Sequence, residues 1–138
     1  MWRDMIKESN PDSNPNLEWW IDITANNMKY NNQYVCMVSE DENGNAAGFI
    51  DMNFNIDPVV SRIVVMVNSL YVTPEFRNRG VGWKLINAAM EISKMRGAER
   101  MVATSTAGDM WTRHGFSVVG SVVAMVVSKW KGRRINYR

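Results

Sequence analysis

The chain has 138 residues, of which 46% are hydrophobic, enough for one domain with a buried core. Its 16 basic and 14 acidic residues leave a net charge of +2, which is too little for a dedicated duplex-binding protein. Its single cysteine, Cys36, and single histidine, His114, exclude an internal disulfide and a Cys/His zinc site, so we predict no metal and a reducing, cytoplasmic compartment.

The N-terminal segment predicts neither export nor membrane insertion. Residues 1–8 place charged side chains where a secretory signal needs an unbroken apolar run. The longest apolar run, 122–127, is too short to span a bilayer and is typical of a buried strand. Two prolines and three asparagines within 10–16 favour a loop, and residues 1–16 otherwise receive no assigned element.

The first half of the chain predicts a helix followed by an antiparallel hairpin and a strand. Residues 17–28 carry an incomplete apolar stripe at helical spacing. Residues 33–39 and 46–56 suit a pleated surface and flank an Asn-Gly turn. Residues 63–72 are almost continuously apolar, as expected of a central strand that is covered on both faces.

The second half predicts a strand–helix–strand crossover. Pro74 ends the central strand, and apolar residues recur at helical spacing from Gly80 to Met95, with Gly97 suited to a left-handed cap. A strand at 100–104 should lie parallel to the central strand through a right-handed connection. The remaining predicted elements are a short helix at 107–113 and strands within 116–130.

These elements predict a mixed α/β fold in a single domain, 1–138. The hairpin adds antiparallel pairing to the βαβ crossover, so the sheet should be mostly antiparallel, with helices on both faces, and not doubly wound.

The loop Arg77–Gly82 has the features of an anion site. Arg77 and Arg79 can donate charge-assisted hydrogen bonds to a phosphate. Gly80 and Gly82 lack the β-carbon that would keep phosphate oxygens away from the main chain. The following helix adds unpaired N–H groups at its positive end. We therefore predict a pyrophosphate site, and the alternative is a tight turn flanked by solvated arginines.

Two common nucleotide motifs fit this loop poorly, because it lacks the Gly-Lys-Ser/Thr of a P-loop and has Leu85 where a dinucleotide fingerprint needs glycine or alanine. Residues 70–82, followed by Leu85 and Ile86, instead resemble the acetyl-CoA motif of the GCN5-related N-acetyltransferase (GNAT) family. That motif reads Arg or Gln, two residues, Gly, one residue, and Gly or Ala. Residues 110–116 are similar to the family's aromatic helix end followed by Gly-Phe, and the resemblance covers about residues 17–130.

The resemblance implies the acyl-CoA N-acyltransferase fold, acetyl-CoA as cosubstrate, and a primary amine of a small molecule, peptide or protein as acceptor. Main-chain groups of Leu70 and Val72 would hold the pantetheine arm, and the Leu70 amide would stabilise the thioester oxygen. Thr104 matches a customary asparagine, and Trp111 matches a tyrosine. The pyrophosphate loop would comprise Arg77, Asn78, Arg79, Gly80, Val81 and Gly82, and Trp83 would belong to the wider cofactor-binding set.

The chain departs from the family where a general base and acid are expected. Met66 and Asn68 occupy the positions where many members carry Glu or His, and neither takes up a proton near neutral pH, although Asn68 could hold a water. Trp111 replaces the tyrosine acid, and its indole donates a hydrogen bond but not a proton. Two interpretations stay open: an N-acetyltransferase that acts by positioning with a base from elsewhere, or an inactive binding or structural protein of the same fold.

Other residues carry candidate chemistry, and each also has a plainer structural interpretation. Asp51, Asp57 and Glu75 are candidate substitute carboxylates, although such residues are usually solvated charges. His114 is more often a packed structural histidine in this position, and Cys36 is suited to be a small buried hydrophobe.

The acceptor and the oligomeric state are not specified by the sequence, and a homodimer is one option. Trp19 and Trp20 could line an acceptor pocket or pack in the core. The basic tail 131–138 is of a kind that is usually solvated but could contact RNA, an acidic protein or the adenosine 3′-phosphate. We predict no membrane partner and no nucleic-acid partner.

Overall fold

The structure is a computed structural model that describes residues 1–12, 16–59, 61–104, 109–120 and 122–132. The helices are α1 (Trp2–Ser9), α2 (Leu17–Tyr30), α3 (Val81–Met95) and α4 (Asp109–Arg113), with short 3-10 turns at Pro74–Phe76 and Val127–Lys129. The strands are β1 (Tyr34–Glu40), β2 (Ala46–Asp57), β3 (Arg62–Val72), β4 (Arg100–Thr104), β5 (Ser117–Val119) and β6 (Val122–Val126). Two predicted segments, 107–108 of the short helix and 133–138 of the basic tail, lie outside the described residues.

The strands form a six-stranded sheet in the order β1-β2-β3-β4-β6-β5 over the described part of the chain. Only the β3–β4 pair is parallel within that sheet, and α3 connects these two strands. The other neighbouring pairs are antiparallel. The mixed, mostly antiparallel α/β fold with one crossover is therefore confirmed.

Most of the core lies between α3 and one face of the sheet. Side chains that alternate along β2 and β3 point to this face, as the period of a strand requires. They meet the apolar stripe of α3, which joins them in one hydrophobic cluster. Fully buried side chains of this layer include Ile50, Met52, Val65, Ile86, Met90 and Met101.

The N-terminal helices cover the opposite face through a chain of aromatic contacts. Trp2 of α1 stacks on Trp20 of α2 with ring centroids 5.1 Å apart. Trp20 lies 6.2 Å from the Phe49 ring of β2, and Phe49 lies 6.4 Å from Tyr71 of β3. No residue of α2 is buried, whereas α3 has several buried residues, so α2 packs less deeply against the sheet.

Two expectations about the elements need correction. The central strand β3 is only partly covered, because Val65 and Val67 are buried whereas Asn68 is exposed. Cys36 is half-buried on β1 and not fully enclosed. The helix predicted at 17–28 is observed as α2, and residues 2–9, which had no assigned element, form α1.

The start and end of α3 agree with the glycine positions in the sequence. Gly80 caps the N-terminus in the left-handed conformation, with φ of +81°. Gly97 follows the helix with φ of +73°, as predicted for a left-handed cap. Within the described ranges, no helix is both long and apolar enough to cross a bilayer.

Two isoleucines of β2 test the position of the core. Ile50 is fully buried, whereas Ile56 on the same strand is 67% exposed. We expect Ile50→Ala to lower the free energy of unfolding by about 2–5 kcal/mol, because it removes buried methyl groups and leaves a cavity. Ile56→Ala removes the same β-propensity but leaves no cavity, so it should lower the free energy of unfolding by about 1 kcal/mol or less. Urea denaturation measures both losses. Equal losses would contradict this placement of the core.

Candidate functional site

A cleft of about 570 Å³ opens where β3 and β4 part. The register between these strands runs from Val64 to Val67 of β3, opposite Arg100 to Ala103 of β4, and ends there among the described residues. Farther along, β3 keeps its antiparallel pairing with β2 alone. A β-bulge at Asn68, opposite the Asp51–Met52 step of β2, marks the point of divergence. The edge of β3 that faces away from β2 therefore forms one wall of the cleft.

Most of the predicted site residues lie together along this cleft. Those that line it are Asn68, Leu70, Val72, Arg77, Asn78, Gly80, Val81, Gly82, Thr104 and Trp111. Arg79 and Trp83 are not among the lining residues: the Arg79 guanidinium lies 5.8 Å from the Phe76 ring centroid, and Trp83 is half-buried on α3.

The loop before α3 presents main chain to the cleft. Asn78 and Gly80 both have left-handed φ values, +61° and +81°, which turn the chain sharply into the helix. The N-cap of α3 is Gly80, which has no side chain to cap the helix, so this N-terminus can present main-chain N–H groups such as those of Val81 and Gly82 to a ligand. A β-carbon at Gly82 would lie 3.4 Å from Met110 Sδ and 3.9 Å from Val72 Cγ2, so the glycine leaves a space about one carbon wide.

Arg77 is engaged by the protein itself at the rim of the cleft. Its Nε donates to the Val72 carbonyl at 2.9 Å, and its terminal nitrogen donates to both carboxylate oxygens of Glu8 at 3.0 and 2.9 Å. Tyr71 donates its hydroxyl to Glu8 at 2.7 Å. These bonds attach α1 to β3, and they place a carboxylate beside the arginine that was predicted to bind phosphate.

The contacts of Glu8 shift two pKa values in opposite directions. Hydrogen bonds from Tyr71 and then Arg77 lower the pKa of Glu8, because they favour the charged carboxylate. Burial, followed by the hydrogen bond to Glu8, raises the pKa of Tyr71 to about 12. The Tyr71 hydroxyl therefore stays protonated at neutral pH and holds α1 in place.

Sequence reasoning missed the contribution of α1, since Met5 and Glu8 also line the cleft. The available signal was the spacing of Trp2, Met5 and Ile6, which lie three and four residues apart as on one face of a helix. Ser69, which also lines the cleft, was missed because a register with a bulge is not visible in the sequence.

The positions expected to hold a base and an acid carry no proton-transferring group. Asn68 is exposed at the cleft, and Thr104 is exposed on the opposite wall. Trp111 is 3% exposed and packs edge-on against Phe116 with centroids 4.9 Å apart, so it shapes the wall. His114 is buried outside this cleft, and burial, followed by the charge of Arg113, lowers its pKa. These features agree with a packed structural histidine.

Asp51 differs from the other candidate carboxylates because it is buried. It is 8% exposed, and its Oδ2 accepts a hydrogen bond from the Tyr34 hydroxyl at 2.8 Å. Its Oδ1 is buried without a hydrogen-bond partner. Burial raises the Asp51 pKa, and hydrogen bonding by Tyr34 and Ser69 offsets part of that rise. Asp57 is half-buried at the end of β2, Glu75 is exposed, and neither lines the cleft.

The remaining candidates lie away from the cleft. Trp19 is 59% exposed, and Trp20 packs in the aromatic layer between α1 and β2. Lys129 and Lys131 line a second groove on the far side of β6. Burial, followed by the charge of Asp51, raises the pKa of the Cys36 thiol. No cluster of three or more His, Cys, Asp or Glu that could hold a metal ion occurs in the described ranges.

Comparisons with known proteins find acetyltransferases. The model of the Acetyltransferase (GNAT) family matches residues 1–116. A stretch of 65 residues is 40% identical to an uncharacterized N-acetyltransferase of Methanocaldococcus jannaschii, and 69 residues are 30% identical to another of Bacillus subtilis. The matches take in 46% and 50% of this chain but 27% and 46% of those relatives, so the chain spans less than half the length of the curated relatives it matches.

A solved structure shows the same fold. The PaiA N-acetyltransferase of Thermoplasma acidophilum, in complex with coenzyme A, superposes with a TM-score of 0.65 at 17% sequence identity. The superposition covers 80% of this chain and 71% of that one.

The contact between α1 and β3 can be tested through the ionisation of Tyr71. Because the Glu8 carboxylate raises the Tyr71 pKa above its ordinary value, Glu8→Gln should lower it from about 12 while burial keeps it above 10.0. The tyrosinate absorbance, titrated with pH, measures this shift, and Tyr71→Phe identifies which transition belongs to Tyr71. An unchanged transition in Glu8→Gln would show that α1 does not lie against Tyr71.

The burial of Asp51 predicts a pH dependence of stability. Its pKa in the folded protein is raised above 3.8, so the folded state holds this proton more tightly than the unfolded state does. The contribution of Asp51 to the free energy of unfolding should therefore fall as the pH rises from about 3.8 through the folded pKa. Asp51→Asn cannot titrate and keeps an acceptor for Tyr34, so relative to wild type it should gain stability across that window.

Urea denaturation between about pH 3 and about pH 7 measures the difference, which the linkage relation converts to a pKa shift. The exposed Asp22 of α2 offers a control, Asp22→Asn, for the loss of a surface carboxylate. A stability difference between wild type and Asp51→Asn that is constant with pH would contradict the burial of a titrating carboxyl.

Proposed function

The chain belongs to the Acetyltransferase (GNAT) family, and from this membership we propose that it transfers an acetyl group from acetyl-CoA to a primary amine of a small molecule, peptide or protein. The observation that carries the proposal is the cleft between β3 and β4, where an open strand edge meets the uncapped N-terminus of α3. A strand edge can pair with an amide-containing chain, and a helix N-terminus can bind a pyrophosphate.

Acetyl-CoA fits the groups that the cleft offers. The pyrophosphate would be bound by the main chain of Gly80, Val81 and Gly82, and the space beside Gly82 lets oxygens approach closely. Asn78 and Arg77 line the same end of the cleft. Thr104 and Trp111 stay in the proposed set as wall residues, and Arg79 and Trp83 stay in it as neighbours of the loop that do not line the cleft.

The pantetheine arm would lie along β3. Leu70 and Val72 line the cleft from this strand and would supply main-chain groups to the arm. The Val72 carbonyl already accepts a bond from Arg77, which leaves Leu70 as the stronger candidate. Its amide would stabilise the negative charge that develops on the thioester oxygen, an effect of about 3–4 kcal/mol at comparable oxyanion sites.

Direct transfer would proceed without a covalent enzyme intermediate. The amine nitrogen attacks the thioester carbon, the C–S bond breaks, the nitrogen loses a proton, and the thiolate gains one. Asn68 would orient the amine or a water through its amide, and the buried Trp111 would form a wall without giving up a proton. Positioning of the two substrates would supply much of the rate acceleration.

A second candidate function is a binding or structural protein that keeps this fold without catalysis. It is favoured by Asn68 and Trp111, which do not transfer protons, and by Glu8, which neutralises Arg77 at the cleft. Both candidates share the cleft and differ only in turnover.

Several broader features belong to the same proposal. We propose a single domain that spans residues 1–138 and acts in the cytoplasm without a membrane or nucleic-acid partner, as the near-balanced charge favours. A homodimer is compatible with this function, and the acceptor amine is left open.

Gly82→Ala tests binding separately from folding. The added carbon meets the protein at ordinary contact distances, so thermal stability should not fall. It would obstruct a phosphate at the main chain and remove about 1.5–3 kcal/mol of charge-assisted hydrogen bonding. This corresponds to a loss of about 10- to 150-fold in acetyl-CoA affinity, measured by calorimetry. Gly97→Ala, at a left-handed position with open space around it, is the control and should keep wild-type affinity. A folded wild-type protein that does not bind acetyl-CoA would contradict the proposal.

Turnover distinguishes the two candidate functions. Wild-type protein is mixed with acetyl-CoA and a set of amines that includes polyamines, amino sugars and peptides, and release of the CoA thiol is followed over time. We expect one or more amines to accelerate thiol release above the rate without protein. Tight acetyl-CoA binding with no turnover on any amine would instead establish the noncatalytic function.

A further inference from the structure

A buried polar cluster lies directly behind the proposed transfer site. Asp51 of β2 is the register partner of Ser69 of β3, so the two side chains share one face of the sheet. Ser69 immediately precedes Leu70, and both line the cleft. Tyr34 of β1 completes the cluster through its hydrogen bond to Asp51. Ser69 therefore connects the cleft with a buried carboxylate.

This carboxylate lacks the partners that usually accompany a buried charge. A buried ion is destabilising by several kcal/mol unless it is paired or fully hydrogen-bonded. The neutral Tyr34 hydroxyl donates to Oδ2 of Asp51, and hydrogen bonding by Ser69 also lowers the Asp51 pKa, yet its Oδ1 is buried without a hydrogen-bond partner. No Lys, Arg or His is among the groups that act on its pKa. Burial without a counterion destabilises the charged carboxylate and so favours its uptake of a proton.

The bulge at Asn68 produces this arrangement. Asp51 pairs with Ser69, but the next residue of β2, Met52, pairs with Val67, so Asn68 is the extra residue. Without the bulge, the alternation of β3 would direct a different side chain toward Asp51. Bulges that re-aim a side chain are frequent next to active sites.

We propose that Ser69 and Asp51 form a proton relay that accepts the proton of the acceptor ammonium group. This inference rests on the proposed acetyltransferase function. It assigns the role of general base to Asp51, because the Asn68 amide cannot accept a proton near neutral pH. Ser69 is the group that contacts the acceptor, and Asp51 acts through it. Tyr34 positions the Asp51 carboxylate from the other side.

The proton transfer balances without a further reactant. The ammonium proton passes to Ser69 Oγ as the Ser69 hydroxyl proton passes to Asp51, which becomes a neutral carboxylic acid. The free amine then attacks the thioester carbon, and the C–S bond breaks. The thiolate takes a proton from solvent, and Asp51 returns its proton to solvent to complete the cycle.

The groups that face Asp51 are compatible with this role. Tyr34 and Cys36 face it from β1, and burial raises the pKa of both, so both stay protonated where the carboxyl titrates. Ser69 faces it from β3, and the Thr24 hydroxyl of α2 acts on Tyr34 and not directly on the carboxyl. Asp51 is therefore the first group in this cluster to lose its proton as the pH rises, and burial raises its pKa above the ordinary carboxyl value of 3.8.

The test begins with binding and continues to a pH profile. Acetyl-CoA affinity is measured by calorimetry for wild type, Asp51→Asn, Ser69→Ala, Ser69→Thr and Tyr34→Phe. The rate of thiol release is then measured against pH, with whichever amine of the set gives the highest turnover. Asp57→Asn, a carboxylate of the same strand outside the cleft, is the matched control.

We expect Asp51→Asn and Ser69→Ala to lower kcat by about 100-fold or more while acetyl-CoA affinity stays at the wild-type value. The fall of the wild-type rate toward acid pH should disappear in Asp51→Asn. Ser69→Thr, which keeps the hydroxyl, should restore most of the rate. Tyr34→Phe should move the acid limb to higher pH, because the Tyr34 hydrogen bond lowers the Asp51 pKa.

Three outcomes would overturn the relay, and they are distinguishable from one another. If acetyl-CoA does not bind to folded wild type, the proposed function and the relay fail together. If acetyl-CoA binds but no amine is acetylated, the relay fails and the noncatalytic function stands. If transfer occurs and the Asp51→Asn profile matches that of Asp57→Asn, the relay alone is wrong and Asp51 is a structural residue.

Discussion

The parting of β3 from β4 is the constraint on which the site depends. Two parallel strands share hydrogen bonds as far as Val67 and Ala103, and beyond that point β3 is paired on one side only. Unpaired N–H and C=O groups on a buried strand are costly, so the open edge is stable only where a ligand or water can reach it. The same divergence brings the start of α3 beside the strand edge. One geometric feature thus creates both a place for an extended chain and a place for an anion.

The N-terminal layer gives this cleft its own electrostatics. Glu8 lies beside Arg77 and Tyr71, so the rim combines a carboxylate, a guanidinium and a protonated phenol. Asp51 and Tyr34 form a buried hydrogen-bonded pair on the same face as the aromatic layer. The face that α1 and α2 cover is therefore polar near the cleft and aromatic away from it, whereas the α3 face packs one hydrophobic cluster.

The sequence predicted the order of the elements and the turn before α3 because both depend on local signals. Apolar runs, the break at Pro74 and the glycines at 80 and 82 are short-range features, and the elements they indicate are present in the structure. Asp51 could be named as a candidate but not distinguished from Asp57, because burial depends on which strand lies opposite. The cross-strand partner Ser69 depends on a bulge, which arises from pairing between segments far apart in the chain.

The two layers of the molecule differ in how firmly they are attached. On one side, α3 carries fully buried residues such as Ile86 and Met90, whereas α2 has none. The described contacts of the N-terminal helices include the stacked rings of Trp2 and Trp20 and the hydrogen bond between Glu8 and Tyr71. Regions with few buried contacts open at lower free energy than the rest of a domain. The N-terminal layer, whose α1 lies at the rim of the cleft, should therefore open at lower free energy than the α3 layer that supports the sheet.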